Sequence, residues 1–150
     1  MYVMPAKDGA VEPAKDVVPV VASQFNLKPG SSVRVEGDIL PDARKFGIDL
    51  GTDEDNVALH FNPRFDIDGF KDIIIFNTKT SGQYGIEYRD RHFPFSLGSR
   101  TEIFIDFEGQ SFVVKLPDGY RMTFPNRLDT TIINYVAVFG DIITRVFAFE

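Results

Sequence analysis

The 150-residue sequence contains no cysteine and no tryptophan, and it has only two histidines. Without cysteine there can be no disulfide framework, no thiolate metal site and no cysteine nucleophile. The two histidines, His60 and His92, stand far apart in the sequence and form no metal-ligand pattern. The acidic run at residues 51–56 also lacks the spacing of a calcium-binding loop. We therefore expect neither a bound metal nor another cofactor.

Positive charge is also scarce, with 16 basic residues against 22 acidic ones and a net charge of −6. Binding to a nucleic-acid backbone or to an anionic membrane surface depends on clustered lysines and arginines. The basic residues here are scattered, so we expect no nucleic-acid partner. No stretch approaches the roughly 18 consecutive apolar residues of a membrane-spanning helix, so we expect no membrane insertion.

The first 16 residues differ from the rest in composition. They are polar and contain prolines, and the tetrapeptide PAKD occurs twice, at residues 5–8 and 13–16. They include no apolar run long enough for the core of a signal peptide, so we expect no conventional secretory leader. We predict a flexible N-terminal tail over residues 1–16 and one domain over residues 17–150, a length that can bury a single core.

Short segments of 6 to 10 residues, several of them alternating apolar with polar, make up the rest of the chain. They cover residues 31–40, 45–51, 56–65, 72–79, 84–90, 101–109, 111–116, 120–125, 133–140 and 142–150. Combinations of Gly, Pro, Asp, Asn and Ser that favour turns separate them. Regular short strands predict an all-β sandwich or barrel, and 15 phenylalanines supply bulky residues for its core.

The segment 56–65 places three strongly polar side chains at alternate positions. With a period of two, Leu59 and Phe61 face one way, whereas His60, Asn62 and Arg64 face the other. The next segments add four candidates for the same surface, namely Asn77, Tyr84, Glu87 and Arg89. We therefore expect a polar binding face that spans neighbouring strands.

These residues, in this order and at these spacings, resemble the signature of the galectins, the β-galactoside-binding lectins. The matching motifs are His60-Phe61-Asn62-Pro63-Arg64-Phe65, then Asn77, then Gly85-x-Glu87-x-Arg89. The stretches 25–30, 113–128 and 133–141 are also similar to this family, and the resemblance covers about residues 20 to 150. It implies a jelly-roll-like sandwich of two antiparallel sheets, with a sugar groove on the concave sheet.

The resemblance also implies a ligand and a role for each residue. The ligand is a β-galactoside, such as a lactose or N-acetyllactosamine terminus on a glycoprotein or glycolipid. His60, Asn62 and Arg64 would contact the axial 4-hydroxyl of galactose, and Arg64 would also reach the ring oxygen. Asn77 would bind O6, Glu87 would bind the 3-hydroxyl of the second sugar, and Arg89 would orient Glu87 and touch that sugar. A site built around a hydroxyl rejects a sugar that lacks it, because polar groups would stay unpaired.

Two positions depart from the family pattern. Tyr84 stands where the family has the tryptophan that stacks on the apolar face of galactose, and its smaller ring covers less area. Asp68 stands where some relatives have a histidine that reaches the second sugar, so it is a possible accessory residue. The smaller ring leaves an alternative open, in which a galectin fold serves as an interaction or structural protein with weak or lost galactoside affinity.

An enzymatic reading would use Glu87 with Asp66 or Asp68 as a pair of glycosidase carboxylates. Such a pair needs one carboxyl group with a raised pKa. Arg89, two residues from Glu87, favours the ionised carboxylate instead. We therefore expect a binding protein and not an enzyme.

The two ends of the domain indicate how the protein assembles. The segments from Val20 to Phe25 and from Arg145 to Glu150 resemble strands that form a two-fold interface in single-domain galectins. If Val20, Ala22, Val146 and Ala148 project from the sheet edge, they offer an apolar patch, and we expect a homodimer. The resemblance further implies a cytoplasmic protein that also reaches the outside of the cell without a signal peptide.

Overall fold

The structure is a computed structural model that describes Tyr2–Pro5 and residues 17–150. In this part of the chain it contains thirteen strands and no helix. The strands are β1 (Tyr2–Pro5), β2 (Val20–Leu27), β3 (Ser31–Ile39), β4 (Phe46–Asp53), β5 (Asn56–Ile67), β6 (Phe70–Thr80), β7 (Gln83–Tyr84), β8 (Tyr88–Asp90), β9 (Arg100–Phe107), β10 (Ser111–Lys115), β11 (Arg121–Pro125), β12 (Ile133–Gly140) and β13 (Ile142–Phe149). The described residues therefore contain no helix that could cross a membrane.

The strands form two antiparallel sheets, which confirms the predicted all-β class. The larger sheet has the order β1-β2-β12-β4-β5-β6-β7, and β8 also pairs with β6. The smaller sheet has the order β11-β10-β9-β3-β13. Six fully buried phenylalanines, Phe46, Phe61, Phe76, Phe107, Phe112 and Phe124, belong to the core between them. Removing one such ring costs about 3 to 5 kcal/mol of stability, so this core holds the two sheets together.

A two-residue turn sets the register between β5 and β6. Asp68 and Gly69 have φ angles of 55° and 81°, as a type I′ hairpin turn requires. The pairing beyond this turn places His60 opposite Asn77 and Arg64 opposite Ile73. The turn therefore brings predicted site residues of two strands onto one stretch of sheet.

The predicted single strand over residues 84–90 is wrong. Tyr84 in β7 pairs with Lys79, whereas Tyr88 in β8 pairs with Phe76. Three residues, 85–87, thus lie opposite two residues of β6, and this extra residue forms a bulge. Bulges interrupt the ladder and redirect the side chains that they carry. Glu87 consequently lies in a loop between two short strands and not on a strand.

The flexible N-terminal tail over residues 1–16 stays a prediction, although four of these residues form a strand in the structure. Tyr2–Pro5 form β1, which pairs with β2 so that Val3 lies opposite Ala22. An unpaired strand edge readily accepts another strand, and β1 fills that edge of the larger sheet. Hence β2 is not a sheet edge, and Ala22 is fully buried instead of projecting from one. Met1 and residues 6–16 lie outside the described residues, and the domain boundary at residue 17 stays a prediction.

Candidate functional site

A groove of about 300 Å³ lies on the face of the larger sheet that points away from the core. It is lined by Lys45, His60, Asn62, Arg64, Ile75, Asn77, Tyr84, Gly85, Glu87 and Phe139. Six of the seven predicted site residues are in this lining. The seventh, Arg89, is not in the lining but forms an ion pair with Glu87, which is. Asp68, the possible accessory residue, is exposed in the β5–β6 turn and is not part of the lining.

His60 is held in place by a carboxylate on the neighbouring strand. Its Nδ1 lies 2.6 Å from Oδ1 of Asp49, the residue opposite it in β4. Both side chains are buried. The carboxylate accepts a hydrogen bond from Nδ1–H, which leaves Nε2 as the ring nitrogen available to a ligand. Phe139 lies parallel to the imidazole at a centroid distance of 5.8 Å and further restricts the ring.

Asn62 and Arg64 form a chain of hydrogen bonds. The Asn62 amide nitrogen donates to the carbonyl oxygen of Phe46 at 2.7 Å. The Asn62 amide oxygen accepts a hydrogen bond of 2.9 Å from Nε of Arg64. Asn62 is only 2% exposed, so its orientation is fixed before any ligand arrives. The terminal nitrogens of Arg64 make no hydrogen bond or ion pair within residues 2–5 and 17–150, and they remain available as donors.

Asn77 connects the sheet to the loop at residues 85–87. Its amide nitrogen donates to the carbonyl oxygen of Gly85 at 3.0 Å, and its amide oxygen accepts from the backbone nitrogen of Thr78 at 2.7 Å. Arg127 supports the same loop, because its Nη1 donates to the carbonyl oxygen of Ile86 at 2.9 Å. The loop that carries Glu87 is therefore tied to β6 by Asn77 and to the segment after β11 by Arg127.

Tyr84 presents a ring beside His60. The two ring centroids are 4.9 Å apart at an angle of 50°, and about half of the tyrosine is exposed. Desolvation, with a smaller contribution from the charge of Asp49, raises the pKa of Tyr84 to about 12. The phenol is therefore neutral over the physiological range, and an uncharged aromatic surface faces the groove.

Glu87 and Arg89 are held more loosely than the residues of β5. The closest charged atoms, Oε1 of Glu87 and Nη2 of Arg89, are 3.7 Å apart. This distance makes an ion pair but not a hydrogen bond, and exposed pairs of this kind contribute little to stability. Both groups can therefore turn towards a ligand at small cost.

The sequence did not predict three lining residues, Lys45, Ile75 and Phe139, or two residues next to the groove, Asp49 and Arg127. Asp49 could have been inferred, because a ligand-binding histidine needs a partner for its second nitrogen. Phe139 could have been inferred from a glycine on the neighbouring strand, which leaves room for its ring. Gly47 pairs with Phe139, and a Cβ at that glycine would collide with the phenyl ring.

No group of three or more His, Asp or Glu side chains in the described ranges, 2–5 and 17–150, could hold a metal ion. The groove instead combines an imidazole, two carboxamides, a guanidinium, an ammonium group and a carboxylate beside the exposed ring of Tyr84. Such a set offers both donors and acceptors to a polyhydroxylated ligand, and the ring offers it an apolar surface.

A family model described as galactoside-binding lectin matches residues 20–148 of the chain. The chain belongs to the galactoside-binding lectin family. Galectin-1 of Mus musculus is 47% identical over 131 residues, which cover 87% of this chain and 97% of that lectin. The 16 kDa beta-galactoside-binding lectin of Gallus gallus is 40% identical with the same coverage.

Solved structures of galactoside-binding lectins have the same fold. CG-16, a homodimeric agglutinin from chicken liver, superimposes with a TM-score of 0.85 at 39% identity, over 88% of this chain and 99% of its own. The toad ovary galectin in complex with thio-digalactose also gives 0.85, at 32% identity, over 88% of this chain and 98% of its own. The predicted jelly-roll-like sandwich is thereby confirmed. As a member of this family the protein is a carbohydrate-binding lectin and not an enzyme.

Proposed function

We propose that the protein binds β-galactosides, including lactose and N-acetyllactosamine termini, in the groove between β5 and the β7–β8 loop. The observation that carries this proposal is the row of His60, Asn62 and Arg64, which are fixed by hydrogen bonds beside the Tyr84 ring. The toad relative was solved with thio-digalactose, a galactoside, which supports the same ligand class here.

We assign the axial 4-hydroxyl of galactose to the row on β5. A hydroxyl can donate one proton and accept two, and these three side chains offer a ring nitrogen, an amide and a guanidinium. Their partners on β4 hold them in place, so the row is organised before the sugar binds and little entropy is lost on binding. The equatorial hydroxyl of glucose would point away from these groups and leave them unpaired.

We assign the remaining contacts from the geometry and the family resemblance. Tyr84 stacks on the apolar face of galactose, and Asn77 binds O6. Glu87 binds the 3-hydroxyl of the second sugar, with Arg89 beside it. The ligands in the cell would then be galactose-terminated chains on glycoproteins or glycolipids. Because Tyr84 keeps a neutral ring next to His60, we expect stacking to persist with less contact area than tryptophan gives.

We further propose that the lectin is a homodimer. Its relative CG-16 is a homodimeric agglutinin with the same fold. The rings of Phe25 in β2 and Phe149 in β13 are 4.5 Å apart, so the two sheets end on the same side of the sandwich. β13 and β1 are the outermost strands there, and we place the dimer contact on these two edges. Sedimentation equilibrium at micromolar concentration tests this, since a mass that stays at 16.9 kDa would contradict it.

We also propose that the protein occurs both in the cytoplasm and outside the cell. Its lack of cysteine supports this, because a chain without thiols is not altered by moving between reducing and oxidising surroundings. Detection of the protein in culture medium while the conventional secretory pathway is blocked tests the proposal. Its absence from the medium under these conditions would contradict it.

Retention on a lactose-agarose column tests the binding function. We expect the protein to be retained and to elute with free lactose but not with cellobiose. The two disaccharides differ only in the configuration of one hydroxyl, at C4 of the first sugar. Failure to be retained would contradict the proposed function, and elution by both sugars would contradict the assignment of the 4-hydroxyl.

A further inference from the structure

One phenyl ring lies against two arginines of the candidate site. The Cζ atom of Arg64 is 4.8 Å from the centroid of Phe70, and Cζ of Arg89 is 4.9 Å from the same centroid. Both distances are within the range of cation–π attraction. Phe70 itself is half-buried and is not part of the groove lining, so any effect on a ligand passes through the two guanidinium groups.

The local backbone explains how Phe70 reaches this position. It is the first residue of β6, directly after the type I′ turn. Strict alternation along β6 would place it on the opposite face from Asn77, which lines the groove. Asp72, however, has a φ angle of 48°, which lies outside the extended range of a strand, so strict alternation does not hold through this position. Phe70 can therefore meet the side chains of the groove face.

The ring attracts both cations without using their donors. A carboxylate in its place would also attract two guanidinium groups, but it would accept hydrogen bonds from their N–H groups. A ring attracts each cation through its quadrupole and leaves the N–H groups in the guanidinium planes free. Among the described residues, Arg89 has one ion-pair partner, Glu87 at 3.7 Å, and the neighbouring carboxylates of Asp66 and Asp68 pair with neither arginine.

We propose that Phe70 is a positioning residue that holds the Arg64 and Arg89 guanidinium groups against one ring and thereby couples the galactose end of the groove to the second-sugar end. The inference rests on the proposed galactoside-binding function. Arginine side chains have many rotamers, and a ligand that must order two of them loses affinity. The ring orders both before the ligand arrives, and the benefit is greatest for ligands that contact both arginines.

The variant Phe70→Leu tests this, with two ligands compared by calorimetric titration. Lactose reaches both arginines, whereas methyl β-galactopyranoside lacks the second sugar. We expect the affinity for lactose to fall by roughly threefold to tenfold and the affinity for the methyl galactoside to fall less. Phe70→Tyr keeps a ring and should retain the affinity for both ligands. Phe70→Met, which is unbranched and apolar but has no ring, serves as a second test if the leucine variant is unstable.

Two controls separate positioning from general destabilisation. Phe104→Leu removes another half-buried ring from the smaller sheet and should change neither affinity. In an Arg89→Ala background, Phe70→Leu should have a smaller effect on the lactose affinity, because one of the two guanidinium groups is already absent. Thermal unfolding of each variant confirms that the protein stays folded.

The outcomes are distinct. If the unmodified protein binds lactose and Phe70→Leu changes the two affinities by the same factor, or not at all, the positioning role of Phe70 is overturned. An undiminished effect of Phe70→Leu in the Arg89→Ala background would also overturn it. If the unmodified protein does not bind lactose, the proposed function itself fails, and the inference fails with it.

Discussion

The two arms of the groove are built differently. On β5, the side chains of His60 and Asn62 are buried, and each is held by a short hydrogen bond to β4. On the β7–β8 arm, Tyr84 and Arg89 are about half exposed, and the Arg89–Glu87 pair is 3.7 Å apart. A rigid arm can discriminate the configuration of one hydroxyl, whereas a loose arm can adapt to different second sugars. If the groove binds galactosides as proposed, we expect galactose selectivity to come from β5 and the β7–β8 arm to adjust affinity.

The largest effect is expected from Arg64→Ala. The guanidinium supplies charge-assisted hydrogen bonds worth about 1.5 to 3 kcal/mol each, so losing two of them lowers lactose affinity by roughly 100-fold or more. The side chain lies on the groove face and not in the core, so we expect the melting temperature to change little. Calorimetric titration and thermal unfolding measure the two quantities. Lys71→Ala, an exposed cation on β6, is the matched control.

The next largest effect is expected from Asp49→Ala. Removing the carboxylate leaves the buried Nδ1 of His60 without its partner and frees the imidazole to rotate. We expect lactose affinity to fall by about tenfold, and stability to fall by about 1 to 3 kcal/mol for the unsatisfied group. Asp49→Asn keeps an acceptor at this position and should lose less of both. Unchanged lactose binding in Asp49→Ala would show that the row on β5 does not depend on its support from β4.

A gain is expected from Tyr84→Trp on the looser arm. The larger ring covers more of the apolar face of galactose, and stacking of a nucleic-acid base on an aromatic side chain, about 1 to 3 kcal/mol, sets an upper scale for this contact. Part of that range corresponds to an increase in lactose affinity of roughly threefold to tenfold. Weaker lactose binding by this variant would mean that Tyr84 does not stack on the sugar.

The smallest effect is expected from Glu87→Gln. The amide can still accept a hydrogen bond from the second sugar but loses its attraction to Arg89, which is a weak, exposed ion pair. We expect lactose affinity to fall by about threefold and methyl β-galactopyranoside affinity to stay constant. A loss as large as that of Arg64→Ala would contradict the contrast between a rigid arm and an adaptable one.

The residues on β5 could be predicted from the sequence, whereas the placement of those on the β7–β8 arm could not. The row on β5 can be predicted from simple alternation, because every second side chain of a strand shares a face. Glu87 was expected on a strand, since nothing in the local pattern reveals the one-residue shift at residues 85–87. Phe70 was missed for a related reason, because the alternation that would assign its face does not hold through Asp72.

Contacts between strands distant in sequence are the other limit of prediction. Asp49 meets His60 only through the register of β4 against β5, and that ladder contains irregularities near Gly51. β1 shows no clear alternation of apolar and polar residues, is only 4 residues long and ends in a proline. Its pairing with β2 depends on an available edge, which is a property of the assembled sheet and not of the four residues themselves.

Galactose recognition is tested most directly by a pair of calorimetric titrations of the unmodified protein, one with lactose and one with cellobiose. The proposed recognition of the axial 4-hydroxyl of galactose depends on the row of His60, Asn62 and Arg64. It predicts saturable binding of lactose with a stoichiometry of one per chain, and an affinity for cellobiose at least about 100-fold lower, because the three groups would stay unpaired. Equal affinity for the two disaccharides, or no binding of lactose, would contradict it.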